Sequence, residues 1–459
     1  MVQDLYVLMI TAGVVSLLFK LLKQPVVLGY IVAGILVGPN LLGQKVVDME
    51  NVEAWGNIGV LFVLFCIGLE FRLKNLFESG KVAVVGAATI IVGMLVLGYG
   101  VGRFALLDNM NSLFLAAMLC MSSTTIVMKA VEEAGLTKAR FVKGATSILI
   151  FEDIVAVVLL VLLSSIAVKN SFEGVELLKK VGVLAVTLVI WFVCGILIIP
   201  TLIRKVRPYL NDETLIILSL GLCLGMVLTA EEAGFSSALG AFVMGMVLAE
   251  TLESHRIEHL MAPLKYVFAA IFFVSVGMMI NPASLVTYWP SILFVSAIII
   301  VGMITFGTLG CWWGGETFKD AMSTGFSFVQ IGEFSFIIAA LGSKLGVTDP
   351  AIYPIIVASS VLTTFLTPYI MKATVPCYNF LYNHASPRLR AKIDRREQEV
   401  AEAEKHTSGS SESSFLANAE KVNHALRRTI ITKRVVKLFL TNMSENDQPA
   451  EKPKDESHE

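Results

Sequence analysis

Apolar blocks of membrane-spanning length follow one another from residue 4 to residue 375, and few folds accept a chain built this way. A spanning helix needs roughly 20 mostly apolar residues, so the succession predicts an all-α membrane protein. About thirteen spans are expected, near residues 4–22, 25–38, 56–71, 82–107, 112–131, 145–168, 181–203, 213–230, 235–250, 265–282, 289–314, 320–343 and 351–373. Composition agrees, with 55% hydrophobic and 16% charged residues against roughly a quarter charged in soluble domains. The spans define a transmembrane domain over 1–375, followed by a cytoplasmic tail over 376–459. The net charge of -1 identifies no partner, because charge is segregated along the chain, and nothing points to nucleic acid. Residues 1–4 lack a basic start, so no cleavable signal peptide is expected. The six cysteines lie mostly inside apolar blocks without paired spacing and read as small hydrophobes.

Basic residues collect on alternate connections. Lys20 and Lys23, then Arg72 and Lys74, then Lys138, Arg140 and Lys143, then Arg204, Lys205 and Arg207 fall on one side, with Lys179 and Lys180 the main exceptions. The positive-inside rule then predicts an outside N-terminus and a cytoplasmic C-terminus in the cell inner membrane. That arrangement requires an odd number of spans.

Glu152 and Asp153 lie side by side in the apolar stretch 145–168. Each ionisable group near a helix centre costs roughly 2.5–3.5 kcal/mol, and intramembrane acids usually face a bundle interior or a wet cavity. Nothing else in the stretch can pair with them. The plain alternative is a pair satisfied by hydrogen bonds inside the bundle. A cation or proton site accounts better for two adjacent acids at this depth.

The first and last thirds of the membrane region resemble each other at an offset of about 210 residues. Leu28-Gly29-Tyr30-Ile31-Val32-Ala33-Gly34 answers to Leu239-Gly240-Ala241-Phe242-Val243-Met244-Gly245, and Ile67-Gly68-Leu69 to Val276-Gly277-Met278. Spans 1–6 and 8–13 are then two six-helix copies, and the odd linker span inverts the second. Inverted repeats with a midplane site are the mark of alternating-access secondary transporters.

In such folds the ion meets helices broken in mid-membrane. The fifth span carries Ser122, Ser123, Thr124 and Thr125 in succession; the same offset sets them opposite Ile331–Phe334, in the run Gln330-Ile331-Gly332-Glu333-Phe334-Ser335. Both are candidate breaks crossing near Asp153. A lone membrane hydroxyl often bonds back to its own helix, but four in a row opposite a Gly-Glu favour function. Carboxylate, hydroxyl and carbonyl oxygens suit alkali cations, and no membrane histidine or thiolate cluster suggests a transition metal. Asp153 is the expected ligand of that metal ion; no cofactor is expected beyond the transported Na⁺ or K⁺. Glu333 is expected to serve the positive ends of the half-helices, Glu70 to anchor the third span through an arginine, and Lys129 to snorkel.

With these motifs the chain resembles the monovalent cation/proton antiporter superfamily, in the branch of the Kef-type potassium efflux systems. The likeness covers nearly all of residues 5–373 and includes Gly38-Pro39-Asn40, Gly68-Leu69-Glu70, Phe151-Glu152-Asp153 and Phe272-Phe273-Val274-Ser275-Val276-Gly277-Met278. It implies a thirteen-helix inverted-repeat fold like that of sodium/proton antiporters, a homodimer, and a core domain moving against a dimerisation domain. It also implies that Asp153 alternates between a proton and Na⁺ or K⁺. Many relatives carry a basic residue in the eleventh span, where Met303 stands here. Without it, two adjacent acids in a low-dielectric core should not both stay ionised. Residues 376–459 contain no Gly-x-Gly-x-x-Gly, so gating by a nucleotide-binding domain is not expected.

The tail divides into a charged, helix-prone stretch at 386–406, a Ser/Gly linker at 407–414, a basic amphipathic stretch at 415–440 and an acidic end. The amphipathic stretch suits anionic lipid or a regulatory contact. Three other readings bear weighing: a ligand- or pH-gated potassium channel on the same scaffold, a non-transporting sensor, and an intramembrane aspartyl protease. The last needs a second catalytic aspartate on another span, but the acids elsewhere in the spans are glutamates or lie at span ends.

Overall fold

The computed structural model describes residues 2–22, 24–41, 48–70, 80–169, 174–233 and 236–407; among them there are helices and turns but no strand. The helices are α1 (Val2–Leu21), α2 (Val26–Val37), α3 (Met49–Glu70), α4 (Gly80–Phe104), α5 (Asn109–Leu119), α6 (Thr124–Glu133), α7 (Phe141–Lys169), α8 (Gly174–Val206) and α9 (Asp212–Glu232). After these come α10 (Ser237–Ala249), α11 (Ser254–Met278), the short α12 (Pro282–Thr287), α13 (Trp289–Gly314), α14 (Phe318–Ser327), α15 (Glu333–Lys344), α16 (Ile352–Lys372), α17 (Thr374–His384) and α18 (Pro387–Thr407). Each expected span overlaps one of these helices or, for 112–131 and 320–343, a pair of half-helices; the helices at Met49–Glu70 and Ser254–Met278 begin well before the spans expected at 56–71 and 265–282. Among the described residues, nine stretches are long and apolar enough to cross a bilayer, and α2 and α10 are shorter apolar helices. The chain is a multi-pass membrane protein.

The helices sort into two bodies. α1 packs on α2 and α3, these three pack on α11, α3 also packs on α10, and α9 packs on α10 and α11, whereas α4–α7 pack with α13–α16; packing between the sets is sparse, and α8 runs from one to the other. Each body draws helices from both halves of the chain, as an inverted repeat requires.

Two glycine contacts carry the signature of that repeat. A methyl on Gly34 would stand 2.8 Å from the Cα of Gly277, and one on Gly245 would stand 2.9 Å from the Cα of Gly68. The alignment exchanges Gly34 with Gly245 and Gly68 with Gly277, so each contact is the other's image. These small residues let α2 approach α11, and α3 approach α10, at backbone distance.

Beyond α16 the chain folds back under the second body. Tyr378 and Tyr382 on α17 donate to Glu397 at 3.0 Å and Asp394 at 2.8 Å on α18. Lys392 lies 4.8 Å from the Trp312 ring centre, and Ile393 is buried. The helix expected at 386–406 is therefore present and docked. The linker after residue 407, the amphipathic stretch and the acidic end lie outside the described residues.

Candidate functional site

α5 stops at Leu119 and α6 begins at Thr124, leaving Cys120–Ser123 non-helical. On the other repeat α14 stops at Ser327 and α15 begins at Glu333, with Phe328–Gly332 between. A helix interrupted in this way leaves backbone donors and acceptors without intrahelical partners, and the two breaks satisfy each other by crossing. Gly332 N–H donates to Met121 O at 2.7 Å, and Ser122 Oγ donates to Phe328 O at 3.4 Å. Gln330 binds the Ser123 backbone twice: its Oε1 accepts from Ser123 N–H at 2.9 Å and its Nε2 donates to Ser123 O at 3.4 Å. The crossing has no room at its centre. A methyl on Gly332 would fall 2.6 Å from Ser122 O.

The helices around the crossing hold it from both sides. Ser335 Oγ on α15 donates to Met118 O at 2.5 Å, and Ser360 Oγ on α16 donates to Ile331 O at 3.2 Å. Met303 on α13 is fully buried with its Sδ 3.9 Å from Ser122 Oγ. A thioether thus packs against the break.

Glu152 and Asp153 meet this crossing differently. Glu152 is fully buried; its Oε2 accepts from Ser122 N–H at 3.0 Å while its Oε1 has no hydrogen-bond partner among the described residues. It fixes the break and is shut off from water. Asp153 is only partly buried, and Thr124 Oγ1 donates to its Oδ2 at 3.4 Å. Ser123 uses its hydroxyl to cap α6, accepting from Ile126 N–H at 3.3 Å. Thr125 is exposed on α6, apart from the rest of the run. Glu333 is partly buried as the first residue of α15, at the positive end of a half-helix as expected. An accessible carboxylate beside a hydroxyl and freed backbone oxygens is a hard-oxygen environment for an alkali cation or a proton.

One expectation needs correction. Glu70 closes α3 but pairs with Lys265 of α11, Nζ to Oε1 2.6 Å, rather than with an arginine. Its neighbour Arg72 lies outside the described residues, and α11 packs along α3 and brings the lysine across. Lys265 was legible as an ionisable group at the edge of an apolar span; what it faces was not. Lys129 donates to Gln24 O at 3.1 Å, tying α6 to the first body.

Residues 7–375 match the family model described as sodium/hydrogen exchanger, transmembrane. The Na(+)/H(+)-K(+) antiporter GerN of Bacillus cereus is 30% identical over 362 residues, which is 77% of this chain and 90% of GerN. K(+) efflux antiporter 5 of Arabidopsis thaliana is 29% identical over 380 residues, which is 81% of this chain but 66% of that protein. Against the structure of the sodium proton antiporter MjNhaP1 from Methanocaldococcus jannaschii the TM-score is 0.64 at 17% identity, covering 81% of this chain and 97% of that one. The fold is shared.

Proposed function

The chain belongs to the sodium/hydrogen exchanger family, and from that premise we propose that it exchanges a monovalent cation, K⁺ or Na⁺, for protons by alternating access. Membership makes it a transporter and not an enzyme. The observation that carries the reading is the crossing of two broken helices against Glu152 and Asp153. Asp153 is the carrier, holding either a proton or the cation. Thr124 and the freed carbonyls of the breaks supply further oxygens, while Gln330, Gly332 and Met303 keep the crossing in shape. Because the site lies wholly in the second body, sliding of that body against the first would expose Asp153 to one face of the membrane and then the other.

The first body is the fixed one, and in this reading it pairs with a second copy. Its outer helices α1 and α9 expose apolar residues such as Val14, Leu17, Ile217 and Leu228. The basic connections support a cytoplasmic tail and an outside N-terminus in the cell inner membrane.

The test is transport in liposomes containing a pH-sensitive dye, with Na⁺, K⁺ and Li⁺ supplied separately. The wild-type protein should dissipate a proton gradient when given its cation. Asp153→Asn should not, because the amide nearly matches the acid in shape but cannot cycle charge. Substantial exchange by a folded Asp153→Asn protein would remove Asp153 from its role.

A further inference from the structure

The two ends of α11 differ in how they meet their surroundings. Over residues 270–278 every position of that helix is buried, whereas over 262–269 none is. The buried end carries two contacts to the second body. The Phe273 ring meets Phe336 of α15 edge-on, with centroids 5.9 Å apart, and Val276 O accepts from Tyr353 Oη of α16 at 3.2 Å. All three aromatic side chains are buried. Tyr353 opens α16, which runs to Lys372 and on into the tail, so these contacts lie at the membrane face opposite the tail.

The carbonyl that Tyr353 finds belongs to the last turn of α11, where intrahelical partners run out. Met279 N–H turns to Ser275 O and Ile280 N–H to Gly277 O, and the oxygen between them is left for the phenol. α16 joins this contact to the crossing. Tyr353 and Ser360 stand seven residues apart, on one face of the helix; Ser360 holds Ile331 O in the break while Tyr353 holds α11. Phe336 follows Gly332 by about one turn of α15. On the tail side Lys129 Nζ also joins the bodies, donating to Gln24 O at 3.1 Å. Its flexible stem can follow a displaced partner, whereas a phenol with two torsions cannot.

We propose that Tyr353 is a positioning residue for exchange: its hydrogen bond to Val276 O, backed by the contact between Phe273 and Phe336, seals the face opposite the tail. It thereby holds the protein in the state whose site opens toward the tail. Sliding of the second body breaks this bond in every cycle, so its strength sets how often Asp153 reaches the far face. Tyr353 touches neither the cation nor the proton. The inference rests on the antiport reading.

That role has a signature that a merely structural hydrogen bond lacks. Apparent KM at each face varies inversely with the population open to that face, so the ratio of KM at the far face to KM at the tail face reports the balance between the two states. Tyr353→Phe removes the hydroxyl and keeps the ring, and should lower that ratio about two- to tenfold. Phe273→Leu trims the seal with the hydroxyl in place and should lower it in the same direction. The measurement is initial exchange rate over a cation series in vesicles of each orientation, sorted by protease access to a C-terminal tag, with thermal unfolding of each purified variant alongside. A hydroxyl that merely caps α11 would leave the ratio unchanged while stability falls, and that result, or a ratio that rises, overturns the proposal. If Tyr353→Phe is too unstable to assay, Phe273→Leu decides by the same ratio. Absence of exchange in the wild-type protein at both faces with every cation would instead overturn the antiport reading.

Discussion

Glu152 and Asp153 are neighbours in sequence with different tasks, and the difference is set by what each oxygen touches. Glu152 needs only an acceptor for Ser122 N–H, which an amide supplies as well as a carboxyl. Glu152→Gln should therefore keep the fold and much of the exchange. Glu152→Ala orphans a buried N–H and should cost about 1–3 kcal/mol, seen as a lower unfolding temperature. Equal stability of the two variants would show that the bond to Ser122 contributes nothing. At Thr124 the hydroxyl faces Asp153 itself, so Thr124→Ala should weaken apparent cation affinity more than maximal rate. Ser123→Ala instead removes a helix cap, worth about 0.5–2 kcal/mol, and its loss should appear first as lowered stability. If the Thr124 and Ser123 effects fall the other way round, the hydroxyl that meets the cation has been misassigned.

The element that decides function is the pair of crossed breaks, and it depends on one position without a side chain. Gly332→Ala would force a methyl within 2.6 Å of Ser122 O, so the breaks must separate and the bonds among Met121, Ser123, Gln330 and Gly332 must weaken together. Exchange should be lost, along with more stability than the Glu152→Ala change costs; a thermal shift assay with the liposome measurement checks both, and a near-native Gly332→Ala protein would deny the crossing. This element was largely legible in the sequence. Four hydroxyl residues in a row, and a glycine before a glutamate, are poor helix interior and sat at the repeat offset. The repeat itself was readable because its glycines are needed for backbone contact, which also made Gly34 and Gly277 visible before their pairing was. What stayed hidden were partnerships between distant segments. Glu70 and Lys265 are 195 residues apart, and no local pattern links them. The division of labour between Glu152 and Asp153 was equally invisible, since helical geometry turns adjacent side chains in different directions without saying what lies there. The docking of α18 was hidden for the same reason: its helical character was plain, but its contact with Trp312 on α13 was not.

On the scale of the whole molecule, two bodies with sparse packing between them must move a charge through a medium that resists charge. Glu152 has one oxygen on a backbone amide and the other unpartnered, with no ion pair among the described residues to keep it ionised. Such a group is expected to keep its proton throughout the cycle. Lys265 does not change this, because its ammonium is paired with Glu70 on the first body. On the proposed reading the charge that travels with the second body is that of Asp153 alone, neutralised by a proton in one direction and by one monovalent cation in the other. Exchange should be electroneutral. Each net elementary charge moved across the membrane would couple to voltage by about 2.3 kcal/mol per 100 mV, enough to change the rate many-fold if the moving step is limiting. Electroneutral exchange should instead vary less than about twofold over the same range. The measurement is initial exchange rate in liposomes at a series of imposed potentials, with the proton and cation gradients held constant. A rate that rises steeply with voltage would mean that a second group, Glu152 or Lys265, changes charge during the cycle, and Glu152→Gln would show which by abolishing the voltage response or leaving it intact.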